Sequence, residues 1–191
     1  MQRIGLFGGT FDPIHIGHLL MADAAREELA LSRLFFIPAA RSPFKPDQQT
    51  APASERLRLL RLALAGQDWC EIDEQEIARG GVSYTIETVT DYSRRFPGAE
   101  LFYLIGADQP PQLHRWRDAD QLANLAHFAV IPRPGEARTA IPPPFRGRDL
   151  TGFPLSVSSS QIRARVKAGL PICHLVPPAV AEAIRNYRLY L

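Results

Sequence analysis

Short apolar runs, each stopped by glycine or proline, alternate along this chain with stretches of helical period, and no other feature limits its fold so tightly. Residues 2–7 hold a short apolar run ended by Gly8-Gly9, which reads as a buried strand that stops at a loop. In 18–31 the residues Leu19, Leu20, Ala22, Ala25, Leu29 and Ala30 are interleaved with Asp23, Arg26, Glu27 and Glu28, the pattern of a helix with one buried face. Residues 34–37 form a second strand closed by Pro38, and 53–64 a second amphipathic helix with Ser54 near its start. A third strand is expected at 70–73, a third helix at 85–95 and a fourth strand at 101–105, ending in Gly106. Residues 122–126 lead into a further strand at 128–131, ended by Pro132. The stretch 132–154 is rich in Pro, Arg and Gly and reads as an irregular surface excursion, with closing helices at 159–168 and 178–187. This alternation implies an α/β fold: a doubly wound parallel sheet covered on both faces.

A length of 191 residues supports one core and is too short for two comfortable ones, and no repeat or linker breaks the pattern, so a single domain over 1–191 is expected. A formal net charge of +2 argues for neither nucleic acid nor an anionic membrane as partner. Cys70 and Cys173 lie far apart without ligand-type spacing, so neither a disulfide nor a zinc site is expected and a reducing cytoplasm fits. The opening MQRIGLFGG reaches glycine too soon for a signal peptide, and no apolar stretch approaches the ~20 residues that cross a bilayer. A cytoplasmic location is therefore expected. A homo-oligomer is allowed for, though nothing in the sequence specifies one.

Ligands of doubly wound sheets bind beyond the carboxyl ends of the strands. GGTFDPIHIGH follows the first strand, PAARSPFK the second and GADQ the fourth, so the polar chemistry gathers on one edge. In the first of these loops, Gly8 and Gly9 permit close approach of backbone to a ligand, and the helix that follows offers unpaired N–H groups to an anion. His15 and His18 are three residues apart and can face one side of the first helical turn. With Thr10 they form a candidate phosphate cradle, suited to the charge that builds when one phosphate attacks another. A core or metal-binding histidine pair is the plainer alternative. The lysine-bearing GxxxxGK[ST] loop is absent.

Three further clusters qualify. In SVSSSQIR (156–163), Ser158 or Ser159 can cap a helix whose free N–H groups, with Ser159 and Arg163, suit a pyrophosphate; a plain cap with a solvated arginine is the alternative. Gly106 and Asp108 put a carboxylate at the cleft, suited to ribose hydroxyls or merely to a helix cap. Trp116, in a loop-rich stretch, could stack on a flat ring or simply fill the core. SYTIET (83–88) opens a helix behind Gly80-Gly81.

GGTFDPIHIGH resembles the T/HxGH signature of the adenylyl- and cytidylyltransferase superfamily, and the chain from Ile4 onward resembles the bacterial nicotinate-nucleotide adenylyltransferases within it. That resemblance implies a Rossmann-like single domain of the nucleotidylyl transferase type. The implied reaction, a step of NAD biosynthesis, joins nicotinate mononucleotide to the adenylyl group of ATP, giving deamido-NAD and pyrophosphate. Residues Gly8, Gly9, Thr10, Phe11, His15, His18, Gly106, Asp108, Ser159 and Arg163 match positions that contact ATP, with His15 and His18 carrying the chemistry. SVSSSQIR is similar to the family's ISSTxIR segment, with Val157 and Ser160 in place of Ile and Thr. SYTIET is similar to SYTIDT, which implies that backbone near Tyr84 and Thr85 receives the nicotinate carboxylate. Trp116 would stack on the pyridine, Asp108 would reach both nucleotides, and Lys45 would meet the incoming phosphate. The family's PPHK reads Ser42-Pro43-Phe44-Lys45 here, so the usual histidine is Phe44.

The expected mechanism is in-line displacement at the ATP α-phosphate with no protein nucleophile or general base. Mg2+ would be held mainly by phosphates and water, because no carboxylate cluster offers a cage. Competing readings are another acceptor (nicotinamide mononucleotide or phosphopantetheine), a glycerol- or choline-phosphate cytidylyltransferase, and a non-catalytic nucleotide sensor. An aminoacyl-tRNA synthetase is disfavoured by the short chain and the lack of a KMSKS-like stretch.

Overall fold

The computed structural model describes residues 1–44, 49–132, 134–135, 140–153 and 155–191. Strands β1 (Arg3–Gly9), β2 (Arg33–Pro38), β3 (Cys70–Ile72), β4 (Glu100–Gly106), β5 (His127–Ile131) and β6 (Arg146–Asp149) form one sheet in the order β3-β2-β1-β4-β5-β6. Every neighbouring pair is parallel. Successive strand residues point to opposite faces, and here both sets are apolar. Phe7, Leu34, Phe36, Phe102, Leu104 and Ala129 fill one core. Ile4, Leu6, Phe35, Leu101, Tyr103 and Phe128 fill the other.

Helices α1 (Ile16–Leu29), α2 (Ala53–Leu64), α6 (Ser159–Lys167) and α7 (Pro178–Asn186) cover the first face through residues such as Ala25, Leu60, Ile162 and Ile184. Helices α4 (Thr85–Arg95) and α5 (Ala119–Leu125) cover the second through Val89, Tyr92 and Leu122. Each large apolar side chain withdrawn from water in this way contributes about 1.5–3 kcal/mol. A short α3 (Gln75–Arg79) and a 3-10 helix (Pro110–Arg115) complete the elements. Among the described residues, no helix is long and apolar enough to cross a membrane.

The excursion expected over 132–154 is corrected in part, because Arg146–Asp149 forms the edge strand β6. Its sequence RGRD has no apolar side chain and all four residues are exposed, so period 2 is invisible. The ladder with β5 makes the strand, and Gly147 is needed there: a Cβ would lie 1.9 Å from the Phe128 carbonyl oxygen. Charged side chains along such an edge also discourage pairing with another chain. Five-residue α3 is likewise too short to show a helical period, and α5 starts three residues earlier than the sequence pattern.

Strand order reverses between β1 and β4, since the chain leaves β1 toward β2 and returns to β4 on the opposite side. The crevice beyond Gly9 and Gly106 is therefore the topological switch point of the sheet.

Candidate functional site

A cleft of about 440 Å³ opens at that switch point, and its floor and walls include Gly8, Thr10, His15, His18, Gly106 and Asp108. The loop after β1 enters α1 with His15 as the N-cap, in extended conformation (φ −147°, ψ 170°), so α1 begins two residues earlier than its apolar pattern. The backbone N–H of His18 donates to His15 Nδ1 at 3.3 Å, and that of His15 donates to His18 Nδ1 at 3.2 Å. This is a capping box built from two imidazoles in place of serine and glutamate. The rings stack with centroids 3.7 Å apart and 29° between planes. Because each Nδ1 accepts a backbone proton, the neutral ring carries its own proton on Nε2, and both histidines become Nε2–H donors. The i, i+3 spacing thus does more than align two rings: it sets both tautomers.

Phe11 lies at the cleft, but its ring belongs to the core. It is 2% exposed and packs edge-on to Phe7 (5.5 Å) and His18 (5.1 Å), with its backbone at φ +48°. Glycines 8 and 9 also serve packing. A Cβ on Gly8 would meet Tyr103 Oη at 2.1 Å, and one on Gly9 would meet the Phe11 ring at 3.0 Å.

Opposite α1, helix α6 starts from Ser158, whose side chain accepts the Gln161 N–H while Gln161 Oε1 accepts the Ser158 N–H at 3.0 Å. The two helix N-termini are tied together. Ser159 Oγ donates to the Pro13 carbonyl at 2.9 Å, and Arg163 Nη1 donates to the Asp12 carbonyl at 2.7 Å. Both residues line the cleft as well, so two positive helix ends face one space.

At the other end, Thr85 opens α4 and its Oγ1 lies 3.4 Å from Tyr103 Oη. Burial raises the Tyr103 phenol, which stays protonated. Ser83 Oγ accepts the Ala40 N–H at 2.9 Å, joining this helix start to the loop after β2. Tyr84 turns away from the cleft and lies beneath the Arg117 guanidinium, 4.6 Å from the ring centroid. Trp116 stands edge-on to Tyr103 (6.0 Å, 87°) and Phe128 (6.1 Å, 81°), 5.9 Å from the exposed ring of Phe44. Its indole Nε1–H is buried, and no acceptor among the described residues reaches it. Lys45 lies outside the described residues.

Glu76 in the cleft wall, together with half-exposed Phe153 and Leu155 on its rim, carried no motif signal in the sequence. Glu76 Oε1 accepts the Thr88 hydroxyl at 2.6 Å. Among the described residues, no three His, Cys, Asp or Glu side chains cluster as a metal cage. The only carboxylates in the cleft wall among those residues are Asp12, Glu76 and Asp108.

A family model described as cytidylyltransferase-like matches residues 6–165. A probable nicotinate-nucleotide adenylyltransferase of Opitutus terrae is 40% identical over 192 residues, which cover 99% of this chain and 98% of that one. Another, from Moorella thermoacetica, is 41% identical over 198 residues, covering 98% and 91%. The structure of Plasmodium falciparum nicotinic acid mononucleotide adenylyltransferase complexed with NaAD superposes with a TM-score of 0.81 over 100% of this chain and 98% of that one; at 16% identity this is a likeness of fold.

Proposed function

Because the chain belongs to the nicotinate-nucleotide adenylyltransferases within the cytidylyltransferase-like family, we propose that it transfers the adenylyl group of ATP to nicotinate mononucleotide. The products are deamido-NAD and pyrophosphate. The observation that carries this reading is the reciprocal His15–His18 pair at the start of α1, facing the start of α6 across the cleft.

A phosphate oxygen of nicotinate mononucleotide attacks the α-phosphorus of ATP, and the bond from that phosphorus to the bridging oxygen of the β-phosphate breaks. Pyrophosphate leaves with that electron pair. No proton must be removed from the phosphate nucleophile, so the protein needs position and charge neutralisation more than a base. The His15 and His18 Nε2–H groups, with Thr10 and the α1 N-terminus, would hold the α-phosphate as its charge rises. The α6 N-terminus with Ser159 and Arg163 would receive the leaving pyrophosphate. Mg2+ would arrive on the phosphates, held by them and by water, and would neutralise part of the leaving charge. Asp108 beside Gly106 suits ribose hydroxyls.

At the acceptor end, Trp116 offers its face to a pyridine ring. The backbone of Tyr84 and Thr85 at the α4 N-terminus offers N–H groups to the carboxylate, which favours the acid over the amide. Tyr84 would act through its backbone only, since its side chain points elsewhere. Phe44 adds an apolar surface beside Trp116. A cytoplasmic location accords with ATP and a mononucleotide as substrates. Incubation with MgATP and nicotinate mononucleotide should yield deamido-NAD by mass and chromatography; ATP hydrolysis alone, without that product, would refute the reading.

A further inference from the structure

Asp12 sits in the loop between β1 and α1, against Arg163 of α6, and its carboxylate is an unusual neighbour for a phosphate site. It is 1% exposed. Its Oδ1 accepts the Tyr190 hydroxyl at 2.8 Å and the Ala51 N–H at 3.2 Å. Its Oδ2 is buried with no hydrogen-bond partner among the described residues, although Arg163 Nη1 is only 3.7 Å away. The same Nη1 instead donates to the Asp12 carbonyl at 2.7 Å. Arg56, also 1% exposed, fixes the loop from below through the Thr10 carbonyl (2.8 Å) and the Ala51 carbonyl (3.2 Å).

A carboxylate and a guanidinium this close, in so sheltered a place, ordinarily close to about 2.7–2.9 Å and often pair through two hydrogen bonds. Here the carboxylate is held back by its other oxygen. We infer that Tyr190 is a positioning residue of the phosphate site: by holding Asp12 through Oδ1, it keeps the carboxylate from capturing Arg163 and leaves that guanidinium available to pyrophosphate. This deepens the adenylyl-transfer reading and rests on it for the role of Arg163. Tyr190 is not among the residues that line the cleft. It lies 178 positions from Asp12 in sequence and packs on the core face that carries α1, α2, α6 and α7. Without the phenol hydroxyl, Asp12 turns toward Arg163, gains the close ion pair and withdraws the cation from the cleft.

Calorimetric titration with pyrophosphate, and separately with nicotinate mononucleotide, tests this without depending on turnover. Tyr190→Phe should weaken pyrophosphate binding by about 3- to 10-fold, within the usual range for coupled polar neighbours, and leave nicotinate mononucleotide within about 2-fold. Adding Asp12→Asn to that variant should recover most of the loss, because a neutral amide attracts the guanidinium much less than a carboxylate does. Equal weakening of both ligands would mark Tyr190 as structural only and overturn the inference, as would a double variant weaker than the single one. If Tyr190→Phe does not fold, Asp12→Asn alone decides: pyrophosphate affinity equal or tighter supports the inference, and a loss beyond about 3-fold overturns it. A parent protein that binds no pyrophosphate overturns it too. A parent that binds pyrophosphate but adenylates a different acceptor defeats the substrate assignment alone.

Discussion

Gly8→Ala places a methyl carbon 2.1 Å from the hydroxyl oxygen of Tyr103, where ordinary contact begins near 3.4 Å. One group must therefore yield by about 1.3 Å against steep repulsion. Neither is free to do so. Gly8 lies in β1 opposite Ile37 of β2, in the middle of the sheet. The Tyr103 ring is 7% exposed and boxed by Trp116 at 6.0 Å and Phe128 at 6.3 Å. Overpacking of this kind costs about 1–3 kcal/mol, which urea unfolding resolves. The displaced ring would push Trp116 and Thr85, so the KM for nicotinate mononucleotide should rise more than that for ATP. Tyr103→Phe supplies the control. It removes the atom at 2.1 Å and leaves the Cζ carbon at 3.0 Å, so the double variant should regain more than half of the lost stability. A Gly8→Ala protein within about 0.5 kcal/mol of the parent, or a double variant with no recovery, would refute the reasoning.

Two other outcomes follow from the same geometry. His18→Ala removes one Nε2–H donor and also the acceptor that fixes His15, so kcat should fall at least ~100-fold while the KM for ATP moves only a few-fold; steady-state kinetics in which the KM for ATP rises by as much as kcat falls would remove the transition-state role. For Asp73, burial raises the carboxyl, but hydrogen bonds from Tyr92 (2.6 Å), Arg95 (2.6 Å) and the Gln75 N–H (3.0 Å) outweigh it and hold it below its ordinary value. A depressed carboxylate stabilises the fold above its unfolded pKa of about 3.9 and loses that contribution as pH falls through the folded value. Asp73→Asn should thus cost about 1–3 kcal/mol near neutral pH, and its melting temperature should approach that of the parent below about pH 4; a gap independent of pH would contradict this.

Much of the fold was legible because a sheet buried on both faces must be built from continuous apolar strands, and residues 101–105, 128–131 and 34–37 are just that. The helix expected at 85–95 is α4, Thr85–Arg95. Most of what stayed hidden is decided by partners distant in sequence. RGRD becomes a strand only because β5 offers a ladder. Gly8 looks like a ligand-contact glycine, yet the room it leaves is occupied by Tyr103 from β4. Phe11 sits inside the signature loop and lines the cleft, and its ring also packs in the core against Phe36 of β2. The pairing of His15 with His18 is local and was readable as spacing; the tautomers needed the Nδ1 contacts. Asp12 and Tyr190 carry no joint pattern at all, since they lie 178 positions apart and meet only in the folded chain.

The most direct test is the rate of pyrophosphate release from MgATP with nicotinate mononucleotide, measured beside nicotinamide mononucleotide and phosphopantetheine under identical conditions. Adenylyl transfer to the acid requires rapid release with nicotinate mononucleotide and much slower release with the other two. Equal or faster release with either alternative would contradict the assignment of Thr85 and Trp116 to a nicotinate site, and ATP binding without release from any acceptor would contradict catalysis itself.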